Sequence, residues 1–185
     1  VSAAPVTAVR AQESTPVTTP GFVEDPGGLF RAPIPTNWSV STTDSYIELR
    51  SPDGDLVVHL LVVTATSVTA AADEVLVLID SQVKPETTPE ANQSVPPSTG
   101  VDETAVITYV TNGGDSFVQL YGQRIGEQVY GIVFTGTVDA ATKRDSQIQQ
   151  IATGFTINSL TKQDLTASVP REWTPELQAD LETYS

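Results

Sequence analysis

Cysteine and methionine are both absent from the 185-residue sequence, and histidine occurs once, as His59. Without cysteine there is no disulfide, no thiol nucleophile and no thiolate metal site. A single histidine excludes two-histidine metal motifs and leaves any Ser-His-Asp arrangement dependent on His59 alone. Basic residues are scarce: nine Lys and Arg stand against 23 Asp and Glu, a net charge of −14. The nine are scattered, so nucleic acids and anionic membrane surfaces are repelled. No apolar run approaches the roughly 18 residues of a membrane span. No nucleic-acid partner, membrane span, metal or cofactor is therefore expected.

What is present is organised unevenly. Residues 1–27 carry Pro5, Pro16, Pro20 and Pro26 with no periodic pattern, and read as a flexible Pro/Thr-rich tail. The small residues Val9 and Ala11 suit the end of a cleaved secretory signal, which places the mature chain outside the cytoplasm, secreted or associated with the cell envelope. A plain disordered linker is the alternative for the same stretch. Order is expected from near Leu29.

"YIELRS" alternates Tyr46, Glu48 and Arg50 against Ile47 and Leu49, a half-buried strand. "SPDGD" then makes a turn, with Pro52 to start it and Gly54 free to adopt positive φ. "LVVHLLVV" is apolar on both faces and belongs in the middle of a covered sheet. From Ser67 the period changes to three and four. Val68, Ala72, Val75, Leu76, Ile79 and Val83 share a helical face, with Ser67 as N-cap and Lys84 in the last turn before Pro85. A long polar loop with four prolines follows, to Glu103. "TAVITYV", "SFVQLYGQR" and "QVYGIVFTG" read as three hairpin-linked strands, turning at "NGGD" and "IGE". A second helix, "DAATKRDSQIQQIATG", is expected to stop at a left-handed Gly154, before a short strand in "FTINSL". This order predicts an α+β domain over residues 28–160, an antiparallel β-sheet flanked by helices. A linker, 161–172, and a capped C-terminal helix, 173–185, complete the chain.

"LFRAPIPTNWSVS" combines Phe30, Pro33, Pro35 and Trp38. Two prolines without amide donors favour an edge strand that bends away, with Phe30 and Ile34 as anchors and Trp38 closing one end of the core. Together with "SPDG", the hydrophobic strand and the helix after it, this opening resembles that of PsbP-like domains. The element order through "IATGFTI" fits that fold as well. "REWTPELQADLETY" is similar to the helix that opens serine beta-lactamase-like hydrolase domains. Thr174 and Pro175 stand at its start, and Leu177, Leu181 and Tyr184 form an apolar stripe. A generic capped helix packing on its own domain is the alternative. The resemblances imply a non-catalytic, secreted accessory or interaction domain beside a hydrolase domain, with Leu177, Leu181 and Tyr184 touching the partner. A free-standing envelope ligand binder of lipoprotein type is the second reading; an enzyme in its own right is the third.

Residues with chemical potential are few. Ser81-Gln82-Val83-Lys84 matches S-x-x-K, but borders Pro85 and lacks the companion motifs of such hydrolases. His59, inside an apolar strand, reads as a satisfied core histidine, a view that a neighbouring carboxylate would reopen. Asp53, Asp55 and Asp115 sit where turns are required, and turn chemistry accounts for them better than calcium. Tyr109, Tyr121 and Tyr130 lie on consecutive strands. They are either cross-strand packing or the wall of a ligand groove beside the proline loop.

Overall fold

Leu56–Thr64, the strand apolar on both faces, needs a covering layer on each side. The computed structural model describes residues 15–16, 21–81, 83–84 and 87–160, and it contains both layers. In chain order the strands are Thr15–Pro16 (β1), Gly21–Glu24 (β2), Phe30–Ile34 (β3), Ser39–Thr42 (β4), Tyr46–Arg50 (β5), Leu56–Thr64 (β6), Ala91–Val95 (β7), Glu103–Thr111 (β8), Ser116–Ile125 (β9), Gln128–Thr137 (β10) and Thr156–Ile157 (β11). The helices are Val68–Leu78 (α1), Val138–Lys143 (α2) and Asp145–Gly154 (α3).

Eight strands form one sheet in the order β1-β4-β5-β6-β10-β9-β8-β7, and every recorded pairing is antiparallel. β6 pairs with β5 on one side and β10 on the other, the central place its composition requires. One face packs Leu61, Val63, Ile107, Leu120, Val129 and Val133 under Val68, Ala71, Ala72, Val75 and Leu76 of α1. The opposite face packs Leu49, Leu56, Val58, Leu60, Ile132 and Phe134 against Phe30, Trp38, Ile151 and Ile157. That second layer is a small sheet, β11-β3-β2, together with α3. The α+β architecture is as expected, with a core layer on each face of the large sheet.

The opening segment is less of an edge than its prolines imply. β3 is the central strand of the small sheet: Phe30 and Arg31 face β11, while Ala32 and Pro33 pair only with β2. Pro33 therefore lies just where the second partner has ended, so its missing amide costs no ladder bond. Trp38 is fully buried and its indole N–H donates to Gln147 Oε1 at 3.3 Å, so it closes the core as expected.

Other boundaries move. β2, and the short β1, fall within the stretch expected to be tail, so regular structure begins before Leu29. β7 occupies part of the proline loop as an outer strand whose middle residues are exposed. The expected second helix breaks into α2 and α3 at Arg144. Gly154 is not left-handed. It is required for close approach instead, since a Cβ there would sit 2.6 Å from Pro33 Cγ. The linker 161–172 and the helix expected over 173–185 lie outside the described residues.

α1 begins and ends on identifiable contacts. Ser67 accepts from Ala70 N–H at 3.0 Å, the expected cap, and Glu103 on β8 accepts from Val68 N–H at 3.2 Å. The helix stops at Leu78 and not near Lys84, because Asp80 takes φ +50° and Ser81 N–H closes onto Leu76 O at 2.9 Å. Val83 is buried by packing beyond the helix, which is why the periodicity seemed to continue. At the β5–β6 turn Asp53 accepts from Ser51, from Lys143 Nζ at 2.9 Å and from Arg144. These contacts, Arg144 foremost, hold its carboxyl well below the ordinary range and staple the "SPDG" turn to the α2–α3 joint.

α1 rests so closely on β9 that a Cβ at Gly122 would overlap Val68 Cγ1. Gly122→Ala is expected to destabilise the domain by about 1–3 kcal/mol through overpacking. Urea unfolding measures this, and an unchanged midpoint would contradict the α1–β9 contact.

Candidate functional site

The "SPDGD" turn fixes the β5–β6 register, and that register sets Glu48 directly opposite His59. His59 Nε2 lies 3.5 Å from Glu48 Oε2, and the ring stands edge-on to Tyr46 with centroids 5.0 Å apart. Arg50 donates through Nε and Nη2 to the other Glu48 oxygen at 3.0 and 2.9 Å. His59 is only 7% exposed. The sequence left His59 as a core histidine unless a carboxylate proved to be beside it. One is.

The hydrogen bond from His59 lowers the Glu48 carboxyl below its ordinary value; burial opposes this and Arg50 reinforces it. With the folded-state value depressed, the stabilisation is present above the ordinary value of 4.5 and is lost as pH falls through the lowered one.

The other ring nitrogen is one of four buried side-chain polar atoms without a partner among the described residues. His59 Nδ1 is buried without a hydrogen-bond partner, and so is Thr135 Oγ1. An unmatched buried polar group costs about 1–3 kcal/mol. Both residues lie on the α1 side of the sheet, because His59 pairs with Val133 across β6 and β10 and Thr135 is two residues further along. Both line one cleft of about 300 Å³. Its roof is the exit of α1 at Ile79, Asp80 and Ser81, and its floor includes Ser116 and Val118. The early stop of α1 opens this space: had the helix run on toward Lys84, it would have continued over this end of the sheet.

The expected tyrosine wall does not form. Strand alternation puts Tyr109 on the α1 face with Val118 and Leu120, and Tyr121 and Tyr130 on the opposite face with Ile132. Tyr130 is buried, its hydroxyl donating to Gln128 Oε1 at 2.9 Å, and Tyr121 is half-buried. Burial raises the Tyr121 phenol, and burial followed by the Asp73 charge raises that of Tyr109. Tyr109 alone of the three borders a groove next to the proline segment, with Lys84, Thr87 and Glu90, of about 270 Å³. Three residues on consecutive strands share a face only if register and parity agree; here Tyr109 is out of step.

Ser81 and Lys84 both lie beyond the end of α1, so no helical turn joins them. Ser81 Oγ accepts from Val83 N–H at 3.2 Å, and Lys84 is exposed. Asp53 is engaged with two cations and a hydroxyl, a turn staple. Leu177, Leu181 and Tyr184 are outside the described residues.

The chain matches no protein-family model and no curated protein by sequence. Its fold does have solved counterparts. Cyanobacterial PsbP (CyanoP) from Synechocystis superposes with a TM-score of 0.54 at 9% identity, over 76% of this chain and 94% of that one. The Ran-binding protein Mog1p of Saccharomyces cerevisiae reaches 0.48 at 11% identity, over 76% and 96%. The architecture is thus the PsbP-like α+β fold, with the antiparallel sheet and covering helices that the opening residues resembled. At these identities the likeness is one of fold.

Followed by carbon-13 NMR, the Glu48 carboxyl is expected to titrate below 4.5, and His59→Phe to raise that midpoint toward 4.5. A midpoint indifferent to the substitution would remove the His59–Glu48 contact.

Proposed function

We propose that this chain is a non-catalytic binding and interaction domain of a secreted or envelope protein, working beside a serine beta-lactamase-like hydrolase domain. The observation that carries the non-catalytic part is the state of His59. One ring nitrogen is committed to Glu48, and the other has no hydroxyl within hydrogen-bond reach. A histidine base that activates serine needs such a hydroxyl. The extracytoplasmic setting rests on the Ala/Val-rich start, and the hydrolase setting on "REWTPELQADLETY", whose Leu177, Leu181 and Tyr184 would meet the neighbouring domain.

The His59 cleft favours a second reading, a free-standing envelope ligand binder. Unmatched buried polar atoms around a space of this size suit a small molecule. The gene sequence past Ser185 separates the two. A further S-x-x-K motif roughly 60 residues downstream supports the hydrolase setting; a stop codon removes it and leaves the ligand binder.

The isolated chain is expected to turn over neither beta-lactam nor ester substrates, and Ser81→Ala to leave that background unchanged. Turnover abolished by Ser81→Ala or by His59→Ala would overturn the non-catalytic reading.

A further inference from the structure

We propose that the cleft beside His59 is a binding site for a neutral polyhydroxylated molecule, a single sugar ring. The proposal deepens the ligand-binding reading above and rests on the cleft being a binding and not a reaction site.

Four observations converge. First, His59 and Thr135, whose Nδ1 and Oγ1 are two of the four buried side-chain polar atoms without partners among the described residues, line the same cleft. They come from adjacent strands, β6 and β10, near the middle of a rigid sheet, so the spacing between them is fixed before any ligand arrives. Second, the hydroxyls around them are set to donate. Ser116 Oγ accepts from Asn112 Nδ2 at 3.1 Å, Ser81 Oγ from Val83 N–H at 3.2 Å, and Thr137 Oγ1 from Ala140 N–H at 3.1 Å. Each leaves its own hydrogen for another acceptor. Hydroxyl, amide and imidazole groups present both donors and acceptors, which is what a sugar hydroxyl, itself both, requires.

Third, the cleft offers no lysine or arginine to an anion. Its one carboxylate, Asp80, is exposed at the rim, where a charge in water discriminates little. The net charge of −14 repels anions further. Fourth, Ile79 and Val118 are buried apolar neighbours within the lining, a surface for the C–H face of a ring. The volume, about 300 Å³, stands at the lower end of the small-molecule range of roughly 300–1,000 Å³ and suits one ring rather than a chain.

The test titrates the nitrogen-15-labelled chain with glucose and N-acetylglucosamine, and in parallel with glucosamine and glucuronate, which carry opposite charges on the same ring. The expected result is saturable shifts at His59, Ser116 and Thr135 with the neutral sugars, and weaker binding of glucuronate. Thr135→Val keeps the shape and removes only an unmatched hydroxyl, so the fold should hold while affinity falls roughly three- to tenfold. Ser116→Ala should weaken binding similarly, and Tyr121→Phe on the opposite face should leave it unchanged. No saturable shift, or shifts indifferent to both Thr135→Val and Ser116→Ala, would overturn the assignment while leaving the non-catalytic reading intact. Glucosamine binding more than tenfold tighter than glucose would replace the neutral class by an amine. Chemical conversion of a bound sugar would instead sink the non-catalytic reading.

Discussion

The β6–β10 pairing is the constraint on which the rest of the molecule depends. Leu56, Val58, Leu60, Ile132 and Phe134 turn one way, and Leu61, Val63, Val129 and Val133 the other. Neither side of this central pair can face water, so the chain must supply a cover for each. It does so with unlike materials: the single helix α1 above, and α3 with the three-stranded sheet below. Gly122, under Val68, and Gly154, against Pro33, mark where each cover comes closest to the structure it packs on.

The two covers have different consequences. On the lower side Trp38, Phe30 and Ile151 are fully buried, and Trp38 is tied to Gln147, which also accepts from Arg144, which in turn holds Asp53. That chain of contacts is architectural. On the upper side the cover is shorter than the sheet it protects. α1 ends at Leu78, and the sheet beyond it carries His59, Thr135 and Ser116 where apolar residues would otherwise be expected. Polar residues thus stand under an incomplete roof, and those carrying the unmatched atoms, His59 and Thr135, are among them, the basis of the binding site proposed above.

Much of this was legible from residue order. Two-faced hydrophobicity located β6 at the centre, Ser67 capped α1, and Gly54, "NGG" and Gly126 took positive φ at the three turns. The missed strands carried too little signal. "GFVE" is four residues inside a proline-rich stretch, and "ANQSV" is a mostly exposed outer strand with no apolar alternation. The stop of α1 escaped because an aspartate, not a glycine, takes the left-handed position. The His59–Glu48 pair, by contrast, was available. Ser51 N–H bonds to Leu56 O across the turn, and counting outward along both strands from that closure brings residues 48 and 59 together. The tyrosines mislead for the complementary reason: strands were counted without their parity.

The most direct test of the central claim is native-state amide hydrogen exchange across the large sheet. With β6 and β10 covered on both faces, their amides, Leu60 and Ile132 above all, should be the slowest in the protein and open only with global unfolding. β7 amides should exchange far faster. Exchange in β6 as rapid as in β7 would contradict the doubly covered central pair and the cleft built on it.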